Sequence, residues 1–257
     1  MCRRFLCPLI LLASLTVANP CAQDLKPGYQ NGPQLLVMLT EFNPWALVVG
    51  WDPPKFVLYE SGQVIYKKNG KYVSAKLAPA EVTAFIGGLR LDSLGKVKNS
   101  YITSRATDQP TNVLLVRTGD SAYRKISVYG SVRRLDTEPG EELPLPTELS
   151  AALHQILSYE NAHSLVWVPE YIEVFIWPFE YAKGEPADWP KQWPGITDRK
   201  TVKRDDAYSL FIPGSQNEEL RKFIASLEPT QAVRIDNKKW AVSARFIFPH
   251  EAQPIDK

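Results

Sequence analysis

The sequence predicts an α+β fold with a mainly antiparallel sheet. Three segments carry apolar residues at helical spacing, and most other apolar runs are short and separated by turns that contain glycine, asparagine or aspartate. Strands that are joined by hairpins, with helices interspersed among them, are typical of the α+β class.

The three amphipathic helices are predicted at residues 80–89, 147–158 and 216–227. In each segment the apolar residues recur at spacings of three and four, which places them on one face of a helix. The third segment also has a start signal, because Ser215 and Glu218 match the capping box. We therefore expect about three helices.

Strands are predicted at residues 56–60, 64–67, 72–76, 113–117, 123–129, 232–235 and 240–248. Asn69-Gly70 tolerates the positive φ that a tight hairpin turn requires, so the first three strands are expected to form a meander. In the last strand apolar residues alternate with Ser243 and Arg245, which predicts one buried face and one largely wet face.

The organisation into domains has two interpretations. Residues 80–89 and 216–227 share the pattern Glu-apolar-x-x-Phe-Ile-x-x-Leu, and strands precede both. Since amphipathic helices resemble one another, we expect a single α+β domain over residues 23–257. The alternative is two related lobes that divide at the Pro- and Glu-rich segment 136–146.

The hairpin LYESGQVIY at residues 58–66 is followed by Leu77, Pro79, Glu81 and a predicted helix. This arrangement resembles the hairpin-then-helix pattern of a family of uncharacterised exported bacterial proteins. The resemblance covers roughly residues 56–129. That family has no known activity, so the resemblance implies export and a fold and no chemistry.

The first 22 residues have the pattern of a secretory signal peptide. Arg3 and Arg4 precede an uncharged, mostly apolar stretch of 14 residues, 5–18, and small residues follow. This stretch is shorter than the roughly 20 residues that cross a bilayer as a helix, so no transmembrane segment is expected in the mature chain. Cleavage is expected between residues 18 and 22, and lipid attachment at Cys21 is the less favoured alternative because Pro20 precedes it. The predicted location is therefore periplasmic or extracellular.

Charge and cysteine content exclude several classes of function. The chain has 30 Lys and Arg and 28 Asp and Glu, and removal of Arg3 and Arg4 with the leader leaves 28 of each sign. A chain without net positive charge lacks the electrostatic signature of nucleic-acid binding, and the basic run Arg199-Lys200 is interpreted as a solvated loop. All three cysteines lie in residues 1–22, so the mature domain is predicted to be free of disulfides and to use no thiol chemistry.

No sequence motif identifies an enzyme, a metal site or a cofactor. The three histidines, His154, His163 and His250, lack metal-ligand spacing, and no phosphate loop or dinucleotide fingerprint is found. Paired carboxylates are the remaining catalytic option, and Glu173 and Glu180 are the least arbitrary pair. The sequence therefore predicts neither metal nor cofactor, and it gives no catalytic residue.

The strongest local feature is a cluster of aromatic residues between positions 167 and 193. On a strand that starts at Tyr171, alternate side chains share one face, and the strand is expected to end near Pro178. In one interpretation these rings form a buried strand under a proline-stiffened lid. In the other they form an exposed platform for a ligand, whose candidate residues are Tyr171, Phe175, Trp177, Phe179, Trp189 and Trp193.

These observations favour an exported, non-enzymatic binding or interaction protein of the bacterial envelope. Its partner is expected to be a glycan, a peptide or an envelope protein. Two alternatives remain at this stage, namely a carboxylate-dependent hydrolase that resembles a glycosidase, and an envelope assembly or structural component.

Overall fold

A computed structural model describes residues 32–46, 48, 52–119, 122–132 and 144–251. The predicted signal peptide, residues 1–22 with Cys21, lies outside the described residues, as does most of the segment 136–146. The described residues form four α-helices and fourteen strands in two sheets, and most strand pairs are antiparallel. The predicted α+β fold is therefore confirmed.

In chain order, the strands are β1 Leu35–Phe42, β2 Phe56–Tyr59, β3 Gln63–Lys68, β4 Lys71–Lys76, β5 Ser100–Ile102, β6 Thr111–Arg117, β7 Tyr123–Tyr129, β8 Leu165–Val166, β9 Tyr171–Pro178, β10 Ala187–Asp188, β11 Val202–Arg204, β12 Ala207–Pro213, β13 Val233–Ile235 and β14 Lys238–Phe246. The α-helices are α1 Pro79–Gly88, α2 Leu91–Leu94, α3 Thr147–Leu157 and α4 Asn217–Ala225. The three predicted helices are thus present as α1, α3 and α4. The predicted capping box at Ser215 is wrong, because Ser215 lies in a 3-10 turn before α4 and no side chain caps that helix.

The first sheet has eight strands in the order β5-β7-β6-β1-β2-β3-β4-β8. Only β5 and β7 pair in parallel among its described strands. One face of the sheet packs against α1, α2 and α3 and forms the helix-side core, whose buried members include Val37, Leu39, Phe56, Leu58, Val64, Phe85, Leu89, Leu114, Leu149, Leu153 and Ile156.

The second sheet has six strands in the order β10-β13-β14-β9-β12-β11. Its inner face packs against α4 through alternate residues of β9, β12 and β14, as the period of two in a strand requires. This second core contains Ile172, Val174, Ile176, Leu210, Ile212, Leu220, Val233, Ile235 and Trp240.

The two sheets meet through the C-terminal segment. β14 ends at Phe246 rather than at residue 248 as predicted, because the chain leaves the second sheet there and crosses onto the free face of the first. Phe248 is 0% exposed and lies 4.9 Å from the ring of Trp167 and 5.4 Å from that of Tyr72, between centroids. The shared core so formed contains Leu35, Met38, Val57, Tyr59, Ile65, Leu115 and Phe248, with Tyr72, Tyr123, Trp167 and Phe246 at its margin.

Polar contacts hold the same segment in place. The Tyr59 hydroxyl lies 2.7 Å from His250 Nδ1, and the phenol donates when that nitrogen is unprotonated. Glu251 accepts the backbone N–H of Phe248 at 2.7 Å and also pairs with Arg245 on β14. His250 therefore contacts the first sheet, and Glu251 contacts the second.

The change from one sheet to the other occurs between Val166 of β8 and Tyr171 of β9. This lies later in the chain than the boundary near 136–146 in the two-lobe alternative. Helix α3 and strand β8 follow that segment, yet α3 contributes Leu149, Leu153 and Ile156 to the helix-side core, and β8 pairs with β4.

The His250 contact predicts a stability that depends on pH. Burial lowers the pKa of His250, Glu251 opposes this effect, and Arg245 acts in the same direction as burial. As the pH falls, the unfolded chain therefore takes up a proton at this histidine at a higher pH than the folded chain does. The contribution of His250 to stability is present above about pH 6.5, the unfolded value, and is lost as the pH falls toward the lower folded value.

The check is the free energy of urea unfolding at pH 7.5 and pH 5.5 for the wild type and His250→Gln. Glutamine can still accept the Tyr59 hydrogen bond and does not titrate, so the fall in stability between the two pH values should be smaller in the variant. Equal pH dependence in both proteins would contradict this account.

Candidate functional site

The predicted aromatic strand is β9, and it lies in the middle of the second sheet. Ile172, Val174 and Ile176 are buried against α4, whereas Tyr171, Phe175 and Trp177 alternate with them on the opposite side. We call that side the outer face. Because α4 packs on the other side of the sheet, the aromatic rings of the outer face are only half-buried.

Phe175 and Trp177 form a small aromatic platform on the outer face. Their ring centroids are 5.7 Å apart and their planes are 30° apart, so the two rings lie side by side at a low angle. The neighbouring strands place Ser209 and Ser243 opposite Phe175, and Ala241 opposite Trp177. On the β14 side these small residues leave the platform open, whereas on the β12 side Arg204 lies over Ser209.

Trp189 and Trp193 do not belong to this exposed surface. They are 8% and 5% exposed, their centroids are 4.8 Å apart, and both rings meet Phe223 of α4 edge-on. Trp189 Nε1 donates to the Pro194 carbonyl at 3.0 Å. The idea of an exposed platform is therefore wrong for these two tryptophans, since they form the lid of the second core.

Two further aromatic residues of the segment follow the strand. Phe179 is half-buried and extends the ladder, because its N–H donates to the Lys239 carbonyl at 3.1 Å. Tyr181 is 93% exposed in the following turn. The strand ends at Pro178, as expected.

Glu173 lies at the centre of the outer face between two arginines. Its carboxylate accepts Arg245 Nη2 at 2.6 Å and Nε at 3.0 Å, and Arg204 Nη2 at 3.1 Å. Arg204 also donates from Nε to Ser209 Oγ at 2.7 Å. Glu173 is only 2% exposed, so this network covers the middle of the face with fixed, paired charges.

The geometry does not bring Glu173 and Glu180 together. About 20 Å of strand separates Glu173 from Phe179, at roughly 3.3 Å per residue, and Glu180 lies beyond Phe179 at an exposed position. Paired glycosidase carboxylates lie about 5–10 Å apart. This particular pair is therefore not a catalytic dyad.

A cleft of about 750 Å³ opens at the Tyr171 end of the outer face, between the loop 191–200 and the last residues of β12. β11 pairs only with Ala207–Ser209, so the end of β12 has a strand partner on the β9 side alone. The lining residues of this Tyr171 cleft are Tyr171, Lys191, Gln192, Trp193, Pro194, Gly195, Thr197, Asp198, Arg199, Lys200, Phe211, Pro213 and Gln216.

Two buried polar atoms of the cleft residues lack hydrogen-bond partners among the described residues. They are Trp193 Nε1, a donor, and Gln216 Oε1, an acceptor. Burying such a group without a partner costs about 1–3 kcal/mol. Both atoms are fully buried, so they lie behind the cleft surface and out of reach of a ligand in the cleft.

The cleft is also locally basic. Lys191, Arg199 and Lys200 line it, against one acid, Asp198. Lys200 Nζ donates to the Tyr171 hydroxyl at 2.8 Å and lies 4.8 Å from the centre of that ring. The run Arg199-Lys200, interpreted from sequence as a solvated loop, is therefore part of the cleft wall.

A second cleft, of about 680 Å³, lies between the β3–β4 hairpin and the end of α3. Lys55 forms an ion pair with Glu41, and the Tyr66 hydroxyl donates to Ser164 Oγ at 3.1 Å. His154 lines its rim and is exposed. This second cleft lies beside the first sheet and not beside the aromatic platform.

Neither a metal site nor a membrane-spanning helix is found in the part of the chain that the structure describes. No three His, Cys, Asp or Glu residues there are grouped as metal ligands would be. None of the helices in that part is long and apolar enough to cross a bilayer.

No protein-family model, curated protein or solved structure matches the chain. Functional inference therefore depends on the two features described above, the platform and the Tyr171 cleft.

The central ion-pair network gives a stability prediction. Glu173→Gln removes the charge that both arginines share, and breaking a buried ion pair costs about 3–5 kcal/mol. Because Arg204 is half exposed, we expect a loss near the lower end, about 3 kcal/mol in the free energy of urea unfolding.

Glu185→Gln is the matched control. Glu185 pairs with Arg234 at 3.2 Å but is almost fully exposed, so its loss should cost less than about 1 kcal/mol. Equal losses in the two variants would show that the outer-face network has no special role.

Proposed function

We propose that the protein is an exported, non-enzymatic binding protein that holds a carbohydrate on the outer face of its second sheet. The observation that carries this proposal is the presence of the Phe175–Trp177 platform and the Tyr171 cleft on the same strand. Tyr171 and Trp177 are six residues apart on one face, which is about 20 Å along the sheet. An extended ligand of several sugar rings would contact both features.

The shape of the platform favours a sugar over a peptide. A sugar ring has a flat face of C–H groups that packs on an aromatic ring, and its hydroxyls bond to nearby polar side chains. Ser243 supplies such a hydroxyl on one side of Phe175, and the half-exposed Arg204, which covers the buried Ser209, supplies N–H donors on the other. A peptide held in extended form needs pockets for alternate side chains, whereas the small residues here keep the surface shallow.

The charged centre of the face suits a polar ligand as well. Arg204, whose side chain is 51% exposed, lies between the cleft and the platform and is held by Glu173 and Ser209. Since its guanidinium is already oriented, less conformational entropy is lost when it donates to a sugar hydroxyl. Export is proposed from the leader pattern at residues 1–22, and it would place the site among envelope or extracellular glycans.

One observation favours the alternative of an assembly component. Leu165 and Val166 of β8 are 76% and 66% exposed at the edge of the first sheet, and Val168 is also exposed. Exposed apolar residues on an edge strand are a frequent site of protein association. Leu165 and Val166 belong to the first sheet, whereas the proposed carbohydrate site lies on the second.

The test is isothermal titration calorimetry of the mature protein against neutral and acidic oligosaccharides and against proline-rich peptides. We expect binding of an oligosaccharide that Trp177→Ala weakens at least about tenfold, which corresponds to about 1.4 kcal/mol. Trp177→Phe keeps a ring on the platform and should lose less.

Tyr181→Ala is the matched control, because Tyr181 is an exposed ring in the same segment that lies beyond the strand. It should change the affinity less than twofold. Binding of peptides but of no oligosaccharide would contradict the proposal. So would an absence of all binding together with self-association at micromolar concentration, which would favour the assembly role instead.

A further inference from the structure

We infer that the Tyr171 cleft binds an acidic sugar unit, one that carries a carboxylate as well as hydroxyl groups. This inference rests on the proposed carbohydrate function and adds the chemical class of the ligand. It comes from two properties of the cleft, its charge and its apolar walls.

The charge of the cleft contrasts with that of the chain. Three cations and one acid line it, whereas the whole chain has 30 basic and 28 acidic residues. The acid, Asp198, already accepts the backbone N–H of Lys200 at 2.9 Å within its own turn. Lys191 and Arg199 are exposed and form no ion pair with a described acidic residue. An anion at this position would therefore be attracted by Lys191 and Arg199.

Apolar walls strengthen that attraction. Trp193 and Phe211 are 5% and 7% exposed, and Pro213 lies beside them. Rings and proline exclude water from one side of the cleft, and charges interact more strongly next to such a low-dielectric wall. A carboxylate bound there would be stabilised more than one on an open surface.

The hydroxyl groups of the ligand follow from the proposed carbohydrate function. A simple anion would meet only the cations, whereas a uronic acid carries hydroxyl groups and a carboxylate on one ring. Its carboxylate would contact Lys191 and Arg199, and its hydroxyl groups would bond to the exposed amide of Gln192, which also lines the cleft.

The experiment compares trigalacturonic acid with its methyl ester, which has the same rings and hydroxyls without the charges. The wild type should bind the acid at least about tenfold more tightly in calorimetry at 0.1 M salt, and higher salt should reduce this preference. The double variant Lys191→Gln/Arg199→Gln should abolish the preference, while Gln192→Ala should weaken binding of both ligands.

The control variant is Lys96→Gln/Lys183→Gln, which removes two exposed lysines that do not line the cleft. It should keep the preference within twofold. Inorganic phosphate serves as the small-anion probe and should compete only weakly.

The outcomes separate this inference from the function on which it rests. Equal binding of acid and ester, or a preference that survives the cleft variant, overturns the acidic-sugar inference and leaves carbohydrate binding in place. Competition by phosphate at the same concentration as the trisaccharide also overturns it, since the site would then recognise an anion alone. Binding of no saccharide by the wild type overturns both.

Discussion

The packing of the C-terminal segment on the first sheet is the interaction on which the rest of the structure depends. The first sheet already buries one face against three helices, and its other face carries large apolar residues such as Met38, Val57 and Ile65. Phe248 covers that face, and it comes from the strand that pairs with β9 in the second sheet. Burial of a phenylalanine is worth about 1.5–3 kcal/mol, and here it also fixes how the two sheets are joined. A chain whose described residues contain no cysteine relies on such packing.

The same segment shapes the candidate site. Arg245, at the end of β14, pairs with Glu173 on the outer face and with Glu251 in the crossing segment. Glu251 in turn accepts the N–H of Phe248. A continuous chain of contacts therefore leads from the shared core to the middle of the outer face, where Glu173 holds Arg204 between the platform and the Tyr171 cleft. The middle of the proposed binding surface is therefore anchored by the network that closes the fold.

Sequence patterns predicted the elements that depend on local chemistry. The turns at Asn69-Gly70 and Asp236-Asn237 adopt positive φ at both residues, and both hairpins were predicted from those residue types. β1 was not predicted, because its residues Leu35–Phe42 are buried on both faces and show no alternation. For the site, the sequence predicts that Tyr171, Phe175 and Trp177 share one face of a strand. It does not predict the burial of Trp189 and Trp193, because that burial depends on Phe223, which lies thirty or more residues away. The cleft itself, and the crossing of Phe248, arise from contacts between distant parts of the chain.

The most direct test of the central claim is hydrogen exchange followed by mass spectrometry on the wild type, Phe248→Ala and the exposed control Tyr181→Ala. Truncating a buried phenylalanine costs about 3–5 kcal/mol, and if Phe248 joins the two sheets this loss must be felt in both. We predict that Phe248→Ala speeds exchange in β2 of the first sheet and in β9 of the second by similar factors, while Tyr181→Ala changes neither. Faster exchange in one sheet alone, with the other unchanged, would contradict the claim that this segment holds the two sheets together.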